Sequence, residues 1–146
     1  VINTSNKSEL AVGYSTQYGD SVGALSLLGD LYKSEIFDLA RYINRTYQDV
    51  IPPEIIERPP TAELRDGQQD DQSLLPYPRL DAILEAILSD HLDLENFEAF
   101  GFDREEVDQI FNLYRRSEYK RVQFCPIVKL KSKSFGFGHR VPITSF

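Results

Sequence analysis

The stretch Asn3-Thr-Ser-Asn-Lys-Ser-Glu-Leu-Ala-Val-Gly-Tyr-Ser-Thr-Gln-Tyr-Gly-Asp20 decides how this chain is interpreted. Two apolar residues precede it, a cluster of hydroxyl and amide side chains opens it, and a helix-like segment with Glu9 follows. This order is typical of a buried strand that leads into the N-terminus of a helix. Backbone N–H groups at such a turn bind anions, and a nearby carboxylate can hold Mg²⁺ beside phosphates. A helix capped by its own polar residues shows the same pattern, so both interpretations stay open.

The composition predicts one compact domain. The chain has 146 residues, of which 41% are hydrophobic, enough for a core. No apolar run approaches the roughly 20 residues of a membrane span, and no signal peptide is visible. The single cysteine, Cys125, cannot form an internal disulfide. We therefore expect a cytoplasmic protein that does not bind membranes. The absence of methionine and the apolar start at Val1 indicate a piece of a longer protein.

The charge is distributed unevenly. The formal net charge is −7, but the segment from Arg115 onward carries eight Lys or Arg and one acid, Glu118. A basic end on an acidic body can attract phosphates or dock on its own acidic surface, and the sequence does not decide between the two. The acidic total argues against nucleic acid as a partner.

Hydrophobic periodicity predicts a predominantly helical chain with little strand. We expect a helical body over about 1–122, with a mobile polar loop or linker over about 59–78, and an extended basic tail over about 123–146. Helices are predicted over roughly 5–12, over 31–47 and from Pro78, and a capping-box-like start is predicted at Asp103 with Glu106. We assign the apolar stripes to the core: Ile36, Ala40, Ile43 and Tyr47; Leu80, Ile83, Leu84, Ile87 and Leu88; Val107, Ile110, Phe111 and Tyr114.

An ordered set of motifs resembles the bacterial NAD synthetases, and the glutamine-dependent type more than the ammonia-dependent type. The opening stretch carries the first of these motifs. The others follow in the same order: Asp30-Leu-Tyr-Lys33, Pro59-Pro-Thr-Ala-Glu-Leu64, Gly67-Gln-Gln-Asp-Asp71, Tyr77-Pro-Arg-Leu-Asp-Ala-Ile-Leu84, Ser117-Glu-Tyr-Lys-Arg121 and the tail from Phe135 to Thr144. The resemblance covers nearly the whole chain.

The resemblance implies an α/β parent fold of the Rossmann-like, pyrophosphate-loop ATPase type. It implies amidation of nicotinic acid adenine dinucleotide to NAD, with ATP and Mg²⁺, through an acyl-adenylate that ammonia displaces. The ammonia comes from glutamine or from solution. The family's S-G-G-x-D-S pyrophosphate loop and its glutaminase domain are not in this sequence. We therefore expect the C-terminal half of a synthetase domain that works with those regions in a homo-oligomer, and that does not turn over alone.

The resemblance also assigns roles to individual residues. It implies ATP binding by Thr4, Lys33 and Thr61, and binding of the dinucleotide substrate by Glu9 and Lys120, with Glu9 also near Mg²⁺. It places Asp70 and Asp71 in an active-site loop. Without the resemblance, the residues favour plainer roles for three of these: a helix cap for Thr4, a solvated first-turn glutamate for Glu9 and a surface lysine for Lys33. A simple turn is the alternative at Thr61.

Two functions of other classes stay open at this point. One is a helical docking or oligomerisation fragment without catalytic capacity, whose apolar stripes pair with another copy. The other is a different pyrophosphate-loop amidotransferase, such as a GMP synthetase.

Overall fold

The computed structural model describes residues 1–60, 74–88 and 97–144. Within these ranges the elements are β1 (Ile2–Asn3), α1 (Lys7–Val12), β2 (Leu25–Ser26), α2 (Lys33–Tyr47), α3 (Pro53–Glu57), α4 (Tyr77–Leu88), a 3₁₀ turn (Phe97–Phe100), α5 (Arg104–Arg116) and α6 (Glu118–Val122). The prediction of a mainly helical chain with little strand is confirmed. No helix in the described ranges is both long and apolar enough to cross a bilayer.

The opening stretch forms a strand, a turn and a helix. β1 pairs in parallel with β2, with Ile2 opposite Leu25 and Asn3 opposite Ser26. The helix α1 begins at Lys7 rather than Ser5, because Asn6 is its N-cap. The Asn6 side chain accepts a hydrogen bond from the Glu9 N–H, and the Glu9 carboxylate accepts one from the Asn6 N–H. This capping box fixes the direction in which α1 leaves the strand.

The core lies between α1, α4 and α5. α4 contributes the fully buried Leu80, Ile83 and Leu84, and the stripe of α5 is buried as predicted except for Phe111, which packs at the edge of the core. α4 begins at Tyr77, with Pro78 in its first turn, so the polar loop ends before the predicted limit of 78. Residues 61–73 of that loop lie outside the described ranges.

The stripe on α2 does not form core, which corrects the sequence prediction. None of the fifteen residues of α2 is buried within the described part of the chain. Leu39, Tyr42 and Tyr47 are 38, 55 and 64% exposed. The first turn of α2 is fastened to α4 through polar groups rather than apolar packing. Of the predicted stripe, Ile36, Ala40 and Ile43 are half-buried and Tyr47 is exposed, so the described chain covers this face only in part.

The capping box expected at Asp103 is only half formed. The Asp103 side chain accepts a hydrogen bond from the Glu105 N–H and caps α5. The Glu106 carboxylate instead pairs with Arg79 of α4, at 2.7 Å. The acid three residues after the cap therefore joins α5 to α4.

The tail packs on the body of the same chain. Ile127 forms an isolated parallel bridge with Ser26 beside β2, and Phe135 is 1% exposed in the core. Asp30, which is fully buried, accepts hydrogen bonds from the N–H groups of Leu130, Lys131 and Phe135. Of the two roles that the charge distribution left open, the structure shows docking on an acidic site of the chain itself.

Candidate functional site

Glu9 and Lys33 are brought together by the first turns of α1 and α2. The Lys33 Nζ lies 3.0 Å from the Glu9 Oε1, and the two side chains are 22 and 18% exposed. The Lys33 ammonium also stands 5.4 Å from the centroid of the Tyr77 ring at the start of α4. Three helices thus meet at one partly buried cation and one carboxylate. The surface-lysine and solvated-glutamate interpretations do not describe this arrangement.

A polar network lies behind this ion pair. Asp81 of α4, 6% exposed, accepts hydrogen bonds from the Ser8 hydroxyl and from both the N–H and the hydroxyl of Ser34, the latter two at 2.9 and 2.6 Å. The Lys33 N–H donates to the Ser8 Oγ at 2.9 Å. The network therefore fixes the backbone on which Glu9 and Lys33 stand.

Sequence reasoning missed Asp81, although a signal was present. Tyr77, Asp81, Leu84 and Leu88 follow the spacing i, i+4, i+7 and i+11, which is one helix face. A carboxylate at a core position of an apolar stripe requires buried donors, because an unpaired buried charge is costly. That requirement, applied to the sequence, would have singled out Asp81.

Thr4 lies in the turn between β1 and α1 and is exposed. The turn around it is shaped by Asn3, whose side chain accepts from the Ser5 N–H and donates to the carbonyls of Asp20 and Val22. Thr4 therefore stands at the strand-to-helix junction, with Glu9 further along the helix that the junction begins.

Lys120 lies at the other end of α1. Its ammonium donates to the carbonyls of Gly13 and Ser15, each at 2.7 Å. Gly13 is the C-cap of α1, with a φ of 71° that suits glycine, and its N–H donates to the Glu9 carbonyl. Lys120 thus lies about one helical turn from Glu9 and satisfies carbonyls that the helix leaves free. It does not join the Glu9–Lys33 pair.

Lys7 belongs to the deciding stretch but does not enter the pair. It is 4% exposed, and its ammonium lies 4.2 Å from the centroid of the Tyr32 ring and 5.8 Å from that of Phe135. Burial lowers the pKa of Lys7, and the charge of Glu85 opposes that shift. Its contacts hold the tail against the body.

Two adjoining grooves open beside Lys33. The first has a volume of about 310 Å³ and is lined by Lys33, Ile36, Phe37, Ile55, Arg58, Pro59 and Pro60. The second, of about 460 Å³, shares Phe37 and Pro60 and extends along α2 to the start of α4. Two basic side chains on an apolar groove suit a ligand with an anionic part and a flat part. Thr61, Asp70 and Asp71 lie outside the described residues.

The described residues offer few donors to a metal ion. Among the described residues, no group of three His, Cys, Asp or Glu side chains is arranged to hold a metal. Glu9 offers one carboxylate, whose Oε1 faces Lys33 and whose Oε2 accepts from the Asn6 N–H. One carboxylate suits Mg²⁺ that is held chiefly by substrate phosphates and water.

A short parallel strand pair, a polar strand-to-helix turn and helices packed behind it define a helix-rich part of an α/β protein. The comparison with protein families gives this class a name. The family model "NAD synthase" matches residues 1–124, and the chain belongs to that family.

Curated relatives agree with the family and with its glutamine-dependent type. The chain is 45% identical over 143 residues to a glutamine-dependent NAD(+) synthetase from Synechocystis, and 42% identical over 146 residues to one from Thermotoga maritima. These matches cover 98 and 99% of this chain but 25% of each relative. The chain thus spans about a quarter of the length of the curated relatives it matches.

Solved structures show the same fold. A glutamine-dependent NAD(+) synthetase from Cytophaga hutchinsonii matches with a TM-score of 0.74 at 23% identity, covering 97% of this chain and 24% of that one. An NMN synthetase from Francisella tularensis matches with a TM-score of 0.64 at 26% identity, covering 90% of this chain and 45% of that one. The predicted α/β parent fold is confirmed.

Proposed function

We propose that this chain supplies one wall of the active site of an NAD synthetase, which amidates nicotinic acid adenine dinucleotide with ATP. The single observation that carries the proposal is the Glu9–Lys33 pair at the edge of the basic groove. The reaction is inferred from family membership. The pair adds a cation that can bind phosphate oxygens and a carboxylate that can bind the Mg²⁺ accompanying a polyphosphate.

The chemistry assigns a role to each partner of the pair. The substrate carboxylate attacks the α-phosphate of ATP, pyrophosphate leaves, and ammonia then displaces AMP from the acyl-adenylate. Lys33 binds the phosphates as a point charge, and Glu9 binds Mg²⁺, which neutralises polyphosphate charge when it is bound. Before ATP binds, the two side chains neutralise one another, which keeps Lys33 ordered at the groove.

Other residues of the chain complete this wall. Thr4, exposed at the strand-to-helix turn, and Thr61 contact ATP, and Lys120 binds the dinucleotide close to the C-terminal end of α1. Lys120 must exchange the carbonyls of Gly13 or Ser15 for the ligand. Asp70 and Asp71 belong to the loop that covers the site. The pyrophosphate loop, and a glutaminase that releases ammonia from glutamine, lie on other parts of the longer protein, which acts as a homo-oligomer.

The test is an assay of the longer protein that carries this chain. NAD formation is followed with nicotinic acid adenine dinucleotide, ATP, Mg²⁺ and either glutamine or ammonia. Lys33→Ala is expected to lower kcat/KM about 100-fold, because a charge aimed at the phosphates is lost. The matched control is Lys129→Ala, which removes an exposed lysine of the tail. Absence of NAD formation, or equal rates for both variants, would refute the proposal.

A second substrate is favoured by one observation, the match to an NMN synthetase at a TM-score of 0.64. The corresponding function is amidation of nicotinic acid mononucleotide. Comparison of kcat/KM for the dinucleotide and the mononucleotide decides between the two substrates. A GMP synthetase activity is tested by replacing the dinucleotide with xanthosine monophosphate and following the formation of GMP.

A helical docking function is favoured by the unburied face of α2. Leu39, Tyr42 and Tyr47 would then contact a second copy of the chain. Light scattering at high protein concentration tests this candidate, and a strict monomer argues against it.

A further inference from the structure

The carboxylate of Asp81 connects the two residues of the ion pair through their neighbours in sequence. Its Oδ1 accepts from the hydroxyl of Ser8, which precedes Glu9, and its Oδ2 accepts from the N–H and hydroxyl of Ser34, which follows Lys33. One side chain from α4 therefore holds the first turns of α1 and α2 in a single arrangement.

The start of α2 depends on this network. The N–H of Lys33 donates a hydrogen bond to the Ser8 Oγ, and the N–H of Ser34 donates one to the Asp81 carboxylate. The first two N–H groups of a helix lack partners within the helix and require acceptors from elsewhere. Here both acceptors belong to the same network, so the position of Lys33 depends on the position of Asp81.

The buried charge of Asp81 is compensated in place. Its neighbours Leu80 and Leu84 are fully buried, so the carboxylate has little access to water. Three hydrogen bonds and the positive end of the fifteen-residue helix α2 replace the water that the carboxylate loses on burial. An amide at this position would keep the shape but lose the charge, and its NH₂ group would face at least one donor.

We propose that Asp81 is a positioning residue that sets the geometry of the Glu9–Lys33 pair for binding a nucleoside triphosphate. This inference rests on the proposed function. Asp81 does not touch the ligand; it determines where the Lys33 ammonium stands relative to the Glu9 carboxylate. Its loss therefore weakens binding of the triphosphate more than binding of the second substrate.

The chain offers a matched control in Asp30. This carboxylate is also buried and also accepts three hydrogen bonds, but from the tail rather than from the residues beside Glu9 and Lys33. Asp30→Asn removes a comparable buried charge whose hydrogen bonds involve neither the pair nor the Asp81 network. A purely structural effect of Asp81 would be reproduced by Asp30→Asn, and a positioning effect would not.

The experiment compares Asp81→Asn and Asp30→Asn in the longer protein, by steady-state kinetics and urea unfolding. For Asp81→Asn we expect the KM for ATP to rise about tenfold, the size of one weakened charged hydrogen bond, with the KM for the second substrate unchanged within about twofold. For Asp30→Asn we expect a lower urea midpoint with the KM for ATP within about twofold of the original.

A milder pair of variants keeps the test decisive if Asp81→Asn does not fold. Ser34→Ala removes one hydrogen bond and is expected to raise the KM for ATP about threefold, while Ser34→Thr retains the hydroxyl and restores the original value. An unchanged KM for ATP in folded Asp81→Asn, or in Ser34→Ala, overturns the inference. An equal rise in Asp30→Asn overturns it as well.

Failure of the proposed function gives a different result, because the unaltered protein then forms no product with either substrate. In that case calorimetric titration with ATP and Mg²⁺ decides the inference without turnover. Weaker binding by Asp81→Asn than by Asp30→Asn supports the positioning role. Equal binding by the two variants, or no binding to the unaltered protein, overturns it.

Discussion

Glu9 serves two purposes at once, and each oxygen of its carboxylate has its own partner. The Oε2 accepts the Asn6 N–H and completes the capping box of α1, while the Oε1 faces Lys33. The sequence alone supported a first-turn glutamate favoured by the helix dipole. The structure retains that role and adds the ion pair, so the two roles can be separated by experiment.

Glu9→Gln separates them, because glutamine at this position still closes a capping box but carries no charge. We expect the free energy of unfolding to change by less than about 1 kcal/mol, since a partly exposed ion pair contributes little. We expect NAD formation to fall about 100-fold, because the amide does not hold Mg²⁺. Chemical unfolding and the NAD assay measure the two effects. A variant that loses stability and activity in proportion would contradict the separation.

Arg121 is the residue that joins α6 to the C-terminal end of α1. Its guanidinium donates to the carbonyls of Ala11 and Tyr114 and pairs with Glu118 at 2.7 Å, with both charged side chains 3% exposed. Burial lowers the pKa of Arg121, and the interactions with Tyr114 and Glu118 oppose that shift. The pair is buried, so removal of one partner leaves a charge without water or counter-ion.

Glu118→Ala is therefore expected to destabilise the protein by about 3 to 5 kcal/mol, the cost of leaving one partner of a buried pair alone. The control is Asp108→Ala, which breaks the exposed Arg104–Asp108 contact and should cost less than about 1 kcal/mol. Urea unfolding monitored by tyrosine fluorescence measures both. Similar decreases in the free energy of unfolding of the two variants would show that burial does not determine how much an ion pair contributes to stability.

Among the elements, the tail shows most clearly what the sequence could indicate. The sequence predicted an extended basic tail, and the tail packs on α1, α5 and the Asp30 carboxylate. The anchors themselves were not visible in the sequence. Asp30 and the Tyr114 hydroxyl, which donates to the His139 carbonyl at 2.9 Å, bind backbone groups, and backbone groups leave no pattern in a sequence.

Tyr114→Phe tests the anchor through its pH dependence. Burial raises the pKa of Tyr114 above its ordinary 10.0, an effect that Arg121 opposes. Above pH 10 the unfolded chain releases this proton before the folded chain does, so stability falls as pH rises. The variant should be less stable by about 1 kcal/mol at pH 7, because the hydrogen bond is lost.

The stability of Tyr114→Phe should then decline less steeply above pH 10 than that of the original protein. The difference in the free energy of unfolding between the two proteins therefore narrows as the pH rises. Tyr32, whose pKa burial also raises, keeps part of the slope in both proteins. The measurement is the free energy of unfolding in urea between pH 8 and pH 11. If the free energies of unfolding of the two proteins change in parallel over that range, Tyr114 does not contribute to the pH dependence of stability.

The helices divide into those the sequence predicts well and those it does not. α4 and α5 bury their stripes because each packs against α1 and against the other, so period and burial agree. α2 has an equally regular stripe, yet none of its residues is buried in the described chain. Periodicity reports which face is apolar and not what covers it. For the same reason, the stripe of α4 singles out Asp81 as a carboxylate that needs buried donors, but it does not reveal that those donors come from α1 and α2.

At the scale of the whole molecule, we propose that the chain presents one side of a site. The groove beside Lys33 has two basic side chains, Lys33 and Arg58, and an apolar floor, but a nucleoside triphosphate carries several negative charges. Backbone N–H groups of a glycine-rich turn usually supply the remaining neutralisation. No such turn occurs in this sequence, and the curated relatives are about four times as long.

The chain by itself is therefore expected not to form NAD from nicotinic acid adenine dinucleotide, ATP, Mg²⁺ and ammonia. With one wall of the site, the phosphates are incompletely neutralised and the acyl-adenylate is open to water, so transfer to ammonia fails. The longer protein, assayed under the same conditions, is the positive control. Circular dichroism is used to check that the isolated chain is folded, so that inactivity cannot be attributed to unfolding. Clear NAD formation by residues 1–146 would show that these residues hold a complete site, and the division of the site between two parts of the polypeptide would then be wrong.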